Sequence, residues 1–211
     1  MVLLKHVVLL GDSIIDNEPY VLSDEKSVLQ HLEGLSHHQY TQLALDGDTT
    51  HDVLDKQLEV TTIKEATNFV LSIGGNDLLQ NLHLLFNSDN QNLNEGLSFL
   101  HNNIFKQLEQ RYEAIIKELS FYRANLLLLT VYEGDLGRTD EFSGVLDSSK
   151  IMASAFNDIV YKTAKKYGAD VLELRHIFTS SEDYANPIEP SHIGGEKLAK
   201  AIIKWVEVDE T

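Results

Sequence analysis

Stretches that are apolar almost throughout alternate along this chain with stretches whose apolar residues recur every three or four positions, and few folds accommodate that order. Val2 to Leu10, Ala66 to Ile73, Asn125 to Val131 and Ala169 to Leu174 read as strands, with Gln39 to Leu45 a weaker fifth. Between them, Leu97, Leu100, Ile104, Leu108, Ile115 and Leu119 fall on one helical stripe, and Met152, Ala155, Ile159 and Val160 on another. Leu198, Ala201, Ile202 and Trp205 form the stripe of a last helix, with Lys197, Lys200 and Lys204 off it. Strands that are apolar on both faces and separated by helices imply a parallel sheet covered on both sides. Right-handed crossovers then bring every loop that follows a strand to one edge, where such sheets bind their ligands.

The loops expected at that edge are short, polar and rich in glycine. Gly11-Asp12-Ser13 follows the first strand, Asp46-Gly47-Asp48-Thr49 the second and Gly74-Gly75-Asn76-Asp77 the third. Late in the chain, Glu189-Pro190-Ser191-His192 stands just before the last helix, with Gly194 and Gly195 between the His and the helical stripe. A carboxylate three residues before a His is close enough to orient an imidazole and stabilise its charged form. A serine at a strand end, an oriented His and donors from other loops are what nucleophilic acyl transfer needs.

In these four blocks, which span nearly the whole chain, the sequence resembles the SGNH or GDSL hydrolases. The resemblance implies one domain over residues 1–211. It also implies a three-layer α/β/α sandwich around a parallel, flavodoxin-like sheet of about five strands. Carried over residue by residue, Ser13 is the nucleophile, His192 the general base and Glu189 the acid that orients it. The backbone N–H groups of Ser13 and Gly47 and the side-chain amide of Asn76 form the oxyanion hole. The chain departs from the family's Asp-x-x-His-Pro pattern at two places, carrying Glu189 for the Asp and Ile193 for the Pro after the His. Leu172-Glu173-Leu174-Arg175 resembles the stretch that leads from the fifth strand towards the catalytic loop. The implied reaction is hydrolysis of a small ester, whether carboxyester, acetyl ester or thioester, through an acyl-enzyme on Ser13, with no cofactor.

Composition narrows the partners. With 33 acidic and 17 basic residues the net charge is −16, a surface that repels nucleic acid and anionic membranes. No segment approaches the roughly 18 apolar residues needed to span a bilayer. Met1 to Leu10, interrupted by Lys5 and His6, reads as a buried strand rather than a secretion signal, so the expectation is a cytoplasmic chain acting on a small-molecule ester. The absence of Cys excludes a disulfide scaffold, a thiolate nucleophile and cysteine-held metal. No His pair has HExxH spacing. Asp12, Asp16, Asp46, Asp48 and Asp77 crowd the strand ends and support one rival, a metal-dependent phosphoryl hydrolase, although no phosphate-cradling loop with Lys-Ser/Thr accompanies them. A non-catalytic binding module on the same fold is the other. Substrate choice is expected to lie in Leu78 to Gly96 and Tyr132 to Ser149, whose leucines suit either an acyl pocket or packed core.

Overall fold

A computed structural model of the chain describes residues 4–59, 64–86, 92–140 and 144–208. Its strands are β1 (His6–Gly11), β2 (Gln39–Gln42), β3 (Asn68–Ser72), β4 (Asn125–Leu129) and β5 (Asp170–Leu172). They form one sheet in the order β2-β1-β3-β4-β5, and every adjacent pair is parallel. The α/β architecture expected from the alternating pattern is therefore the one observed, with helices on both faces of the sheet. Val2, with which the first strand was expected to open, lies outside the described residues.

Side chains alternate faces along a strand, and here both faces are apolar. Val8 and Leu10 of β1, Phe69 and Leu71 of β3 and Leu128 of β4 meet α6 (Lys106–Leu119) and α7 (Leu146–Tyr167) through Tyr112, Ile115 and Phe156. Val7, Leu9, Val70, Leu127 and Leu129 point the other way, onto α1 (Val28–Leu35) and α8 (His192–Val208) through Val28, Leu32, Leu198 and Ile202. The edge strand β2 is shorter than its apolar run because the amides of Leu43 and Ala44 both turn to the carbonyl of Leu9, at 2.8 and 3.0 Å, which breaks the ladder. β3, β4 and β5 also end earlier than their apolar runs, since Ile73 and Val131 already belong to the turns above the sheet, whereas β1 runs one residue past Leu10 to Gly11.

The glycine after β1 is dictated by geometry. Gly11 has φ 129°, and a Cβ there would lie 1.6 Å from the Ser72 carbonyl oxygen at the end of β3. Gly74 has φ 113°, and a Cβ on it would meet the Phe156 ring at 2.3 Å. The first and third turns are thus drawn down onto the sheet and onto α7, which fixes the floor of the edge where the loops gather.

Candidate active site

The chain end of β1 is held by a residue that sequence patterning did not single out. The short α2 (Thr50–Asp52) continues as a π-helical turn, Val53–Gln57, that carries Gln57 inward. Its amide oxygen accepts the Gly11 N–H, and its nitrogen donates to the Gly11 carbonyl and to Asp48 Oδ2, each at 2.8 Å. One buried amide therefore satisfies both backbone groups before the nucleophile turn and ties the second turn to it. The third turn opens α3 (Gly75–Leu79) and is tied in as well. Asp77 accepts the Thr50 N–H at 2.9 Å, the Thr50 hydroxyl at 2.6 Å and an Arg111 N–H at 3.1 Å, while Arg111 Nε reaches the Thr50 hydroxyl at 2.8 Å. The Asp77 carboxylate thus braces the neighbouring turn and not its own.

Ser13 stands just above Asp12, 6% exposed, on the wall of a small cavity that opens to the surface. Asp12 Oδ1 accepts the Ile14 N–H at 3.2 Å and the Ser72 hydroxyl at 3.3 Å, as expected of a turn-forming Asp. Burial pushes its carboxyl up to about 8, with the charges of Glu189 and Asp77 adding to the effect, so it is largely protonated at neutral pH. Asn76 lines the same cavity and spends one amide hydrogen on the Asp48 carbonyl at 2.9 Å, which leaves its second for a ligand. The backbone N–H groups of Ser13 and Gly47 take part in none of the hydrogen bonds among the described residues. Gly47, with φ 84°, stands outside the cavity lining proper.

Above the serine, the late loop is pinned residue by residue. Asn186 Oδ1 accepts the N–H groups of Ile188 and Glu189 at 2.9 and 3.0 Å, and the Tyr132 hydroxyl donates to the Ile188 carbonyl at 2.6 Å. Asn17 bridges the loop to α1, donating to the Pro190 carbonyl at 3.2 Å and accepting the Val28 N–H at 2.8 Å. This scaffold puts the Glu189 carboxylate, 6% exposed, into the Ser13 cavity. Burial raises its pKa to about 7, against the opposing influence of the Ser13 hydroxyl and with a further increase from Asp46. The Ser13 hydroxyl is thus close enough to act on that carboxyl, whose Oε2 is buried without a partner.

His192 is elsewhere. Its ring stacks on His31 of α1, centroids 5.7 Å apart, and lines a separate hollow with His31, Lys26 and Glu196. Its Nδ1 is buried without a partner, and no hydrogen bond joins it to Ser13 or to Glu189. The expected Ser13–His192–Glu189 relay is therefore replaced by Ser13 facing Glu189. The reason is helical: α8 begins at His192, and residues four apart share a face, so His192 lies with Glu196 towards α1. Buried Gly194 and Gly195 hold that orientation, since a Cβ on the former would meet the Asp183 carbonyl at 2.2 Å. Asp183 is occupied in structure, accepting the Thr179 and Ser180 N–H groups and pairing with Lys197 at 2.6 Å.

The register of the loop explains the exchange. Aligned on its proline, the Asp-x-x-His-Pro pattern falls on Asn186, Glu189 and Pro190, three residues before the register set by the His alone. Glu189 then stands where the pattern has its His, and Asn186 where it has its Asp.

The other acidic residues of the strand ends are held by protein donors. Asp16 accepts from Gln42 and from the Asp46 N–H, Asp46 from Tyr20 and Asp48 from Gln57. Among the described residues no three His, Asp or Glu side chains converge as metal ligands. Both loops in which substrate choice was expected to lie reach the cavity. Leu78, Leu79 and Leu82 form one wall and Tyr132, Gly134 and Leu136 another, while Leu84 and Leu85 pack partly against the core. Residues 87–91 and 141–143 of these loops lie outside the described residues.

A parallel sheet in this strand order, with a Gly-Asp-Ser turn after β1 and a Gly-Gly-Asn-Asp turn after β3, is consistent with the fold of the SGNH or GDSL hydrolases. Solved structures share it. An acetyl xylan esterase from Geobacillus stearothermophilus superposes with a TM-score of 0.68 at 15% identity, covering 95% of this chain and 93% of its own. That esterase has also been solved as catalytic mutants at a Ser, an Asp and a His, the His three residues after the Asp. Phospholipase A1 from Streptomyces albidoflavus gives 0.69 at 16% identity, covering 98% of this chain and 100% of its own. A lipase from Streptomyces rimosus gives 0.68 at 17% identity, over 95% and 99%. No family model matches the sequence, and no curated protein matches it.

Proposed function

We propose that the chain is an ester hydrolase that acts through an acyl-enzyme on Ser13. The observation that carries this reading is the serine itself, at the end of β1 beside the Asn76 amide in a cavity whose walls are mostly apolar. The esterase and lipase activities named for the structural neighbours point the same way. In this reading the serine oxygen attacks the ester carbonyl, and the oxygen of the tetrahedral intermediate is met by the Ser13 and Gly47 N–H groups and by Asn76. Fixed donors aimed at developing charge are worth most in a site that excludes water. The acyl chain lies along Leu78, Leu82 and Met152, which line the cavity.

Ser13→Ala tests the nucleophile, because Ala fits the turn and only the reacting atom is lost. Turnover of an aryl ester should fall to background while the thermal unfolding midpoint is kept, and a fluorophosphonate should label wild type but not the variant. With p-nitrophenyl esters of increasing chain length, kcat/KM should rise about threefold to fourfold per methylene until the cavity is full, since burying one CH₂ is worth about 0.8 kcal/mol. A stable Ser13→Ala protein with wild-type turnover would refute the assignment.

A further inference from the structure

We propose that Glu189 is itself the general base of Ser13, exchanging the proton directly with the serine hydroxyl, so that the centre is a Ser–Glu pair without histidine. The proposal deepens the ester hydrolase reading of the same cavity and rests on it. Of the nine His in the chain, none lines that cavity. Its carboxyl groups are Asp12, Glu133 and Glu189, and of these Glu189 is the one that interacts with Ser13. Asp12 is held by the Ile14 N–H and the Ser72 hydroxyl. Glu189 Oε2 is buried and unpartnered, which is costly unless a proton or a ligand uses it.

The backbone beneath Glu189 is locked by Asn186, Tyr132 and Asn17, as a reacting group requires. Asn186 spends its oxygen on that backbone instead of on an imidazole, and the proline register puts Glu189 in the place of the pattern's His. Without substrate, the hydrogen bond between a general base and its nucleophile is commonly long or poorly aligned.

An ordinary carboxylate is too weak a base for this work at neutral pH. Burial brings Glu189 to about 7, the range of an imidazole, and so supplies the proton affinity that the missing His would have had. The groups that face it are Asp12, Asp46, Tyr20 and Tyr132, and no Lys or Arg lines the cavity to pull its pKa down again. The steps balance without a further reagent. As the Ser13 oxygen bonds to the ester carbon, its proton passes to Glu189, and that proton leaves with the alcohol oxygen when the C–O bond breaks. Water then attacks the acyl-enzyme, gives a proton to Glu189, and Ser13 recovers it as the acid departs.

The test measures p-nitrophenyl butyrate hydrolysis against pH, with fluorophosphonate labelling of Ser13, in wild type, Glu189→Gln, His192→Ala and the double replacement Asn186→Asp with Glu189→His. Wild type should show a rising limb with an apparent pKa of about 7. Glu189→Gln should lose at least a thousandfold in kcat together with that limb, while His192→Ala stays within twofold. The double replacement should recover activity above Glu189→Gln, because it installs an Asp-x-x-His-Pro sequence in the same register. If His192→Ala is the damaging change and Glu189→Gln is mild, the pair is wrong and the ester hydrolase reading stands. If wild type neither turns over the ester nor labels at Ser13, the ester hydrolase reading falls and the pair with it.

Discussion

One amide hydrogen of Asn76 fastens the third turn to the Asp48 carbonyl, and the other is free for the oxyanion of the proposed reaction. Removal of the side chain should therefore damage both rate and order. Asn76→Ala is expected to lower kcat by about a hundredfold to a thousandfold, the usual loss for one oxyanion donor, with a smaller loss of thermal stability from the severed tie. Initial rates and a melting curve on one preparation separate the two effects; an unchanged kcat would remove Asn76 from the oxyanion hole. At this scale the sequence picked out residues that the fold brings together, since Ser13 and Asn76 of the strand-end turns and Glu189 of the late loop line one cavity. His192, expected beside Ser13, lies against His31 of α1 instead, since sequence spacing alone does not say which face of a helix start a side chain will take. Aligned on the proline beside Glu189, the same pattern puts Glu189 rather than His192 at its His.

The turns owe their precision to elements that lie beneath them. The π-helical turn Val53–Gln57 delivers Gln57 to both backbone groups of Gly11, and the Thr50–Asp77–Arg111 cluster joins α2, α3 and α6. Gln57→Leu fills the same space but leaves the buried Gly11 N–H unpaired, at a cost of about 1 to 3 kcal/mol, while the Gly11 carbonyl keeps the Leu45 N–H at 3.1 Å. The variant should unfold at markedly lower denaturant concentration and also lose turnover, because the Ser13 turn is no longer held from below. A variant of wild-type stability would show that Gln57 carries no such load. Neither device was visible in the sequence. A lone Gln in a helical segment carries no periodic signal, and the partners of Asp77 come from 27 and 34 residues away.

For the molecule as a whole, the buried acids of the cavity set the pH dependence of stability. Asp12 and Glu189 hold protons in the folded state up to about 8 and about 7, whereas the unfolded chain releases them near 3.8 and 4.5. Between those limits folding takes up protons, so their contribution to stability is complete below about pH 4 and is lost as pH rises through 7 and 8. Glu173 acts oppositely, since hydrogen bonds from Arg175, Thr130 and Tyr161 outweigh the opposing effect of burial and hold it at about 2, and its contribution disappears only in strong acid. Urea unfolding should therefore show stability falling from pH 5.5 to 8.5, with a slope of up to about 1.4 kcal/mol per pH unit for each acid titrating. Asp12→Asn should flatten that slope; an unchanged slope would mean that the carboxyl titrates as it does in water. The sequence by itself determined the sheet, its parallel order and the edge at which the loops collect, because apolar periodicity and the turn chemistry of glycine are local properties. The tertiary structure decided which late residue meets Ser13, since the facing of Glu189 and His192 depends on Asn17, Tyr132 and the buried glycines of α8, contacts that join parts of the chain far apart in sequence.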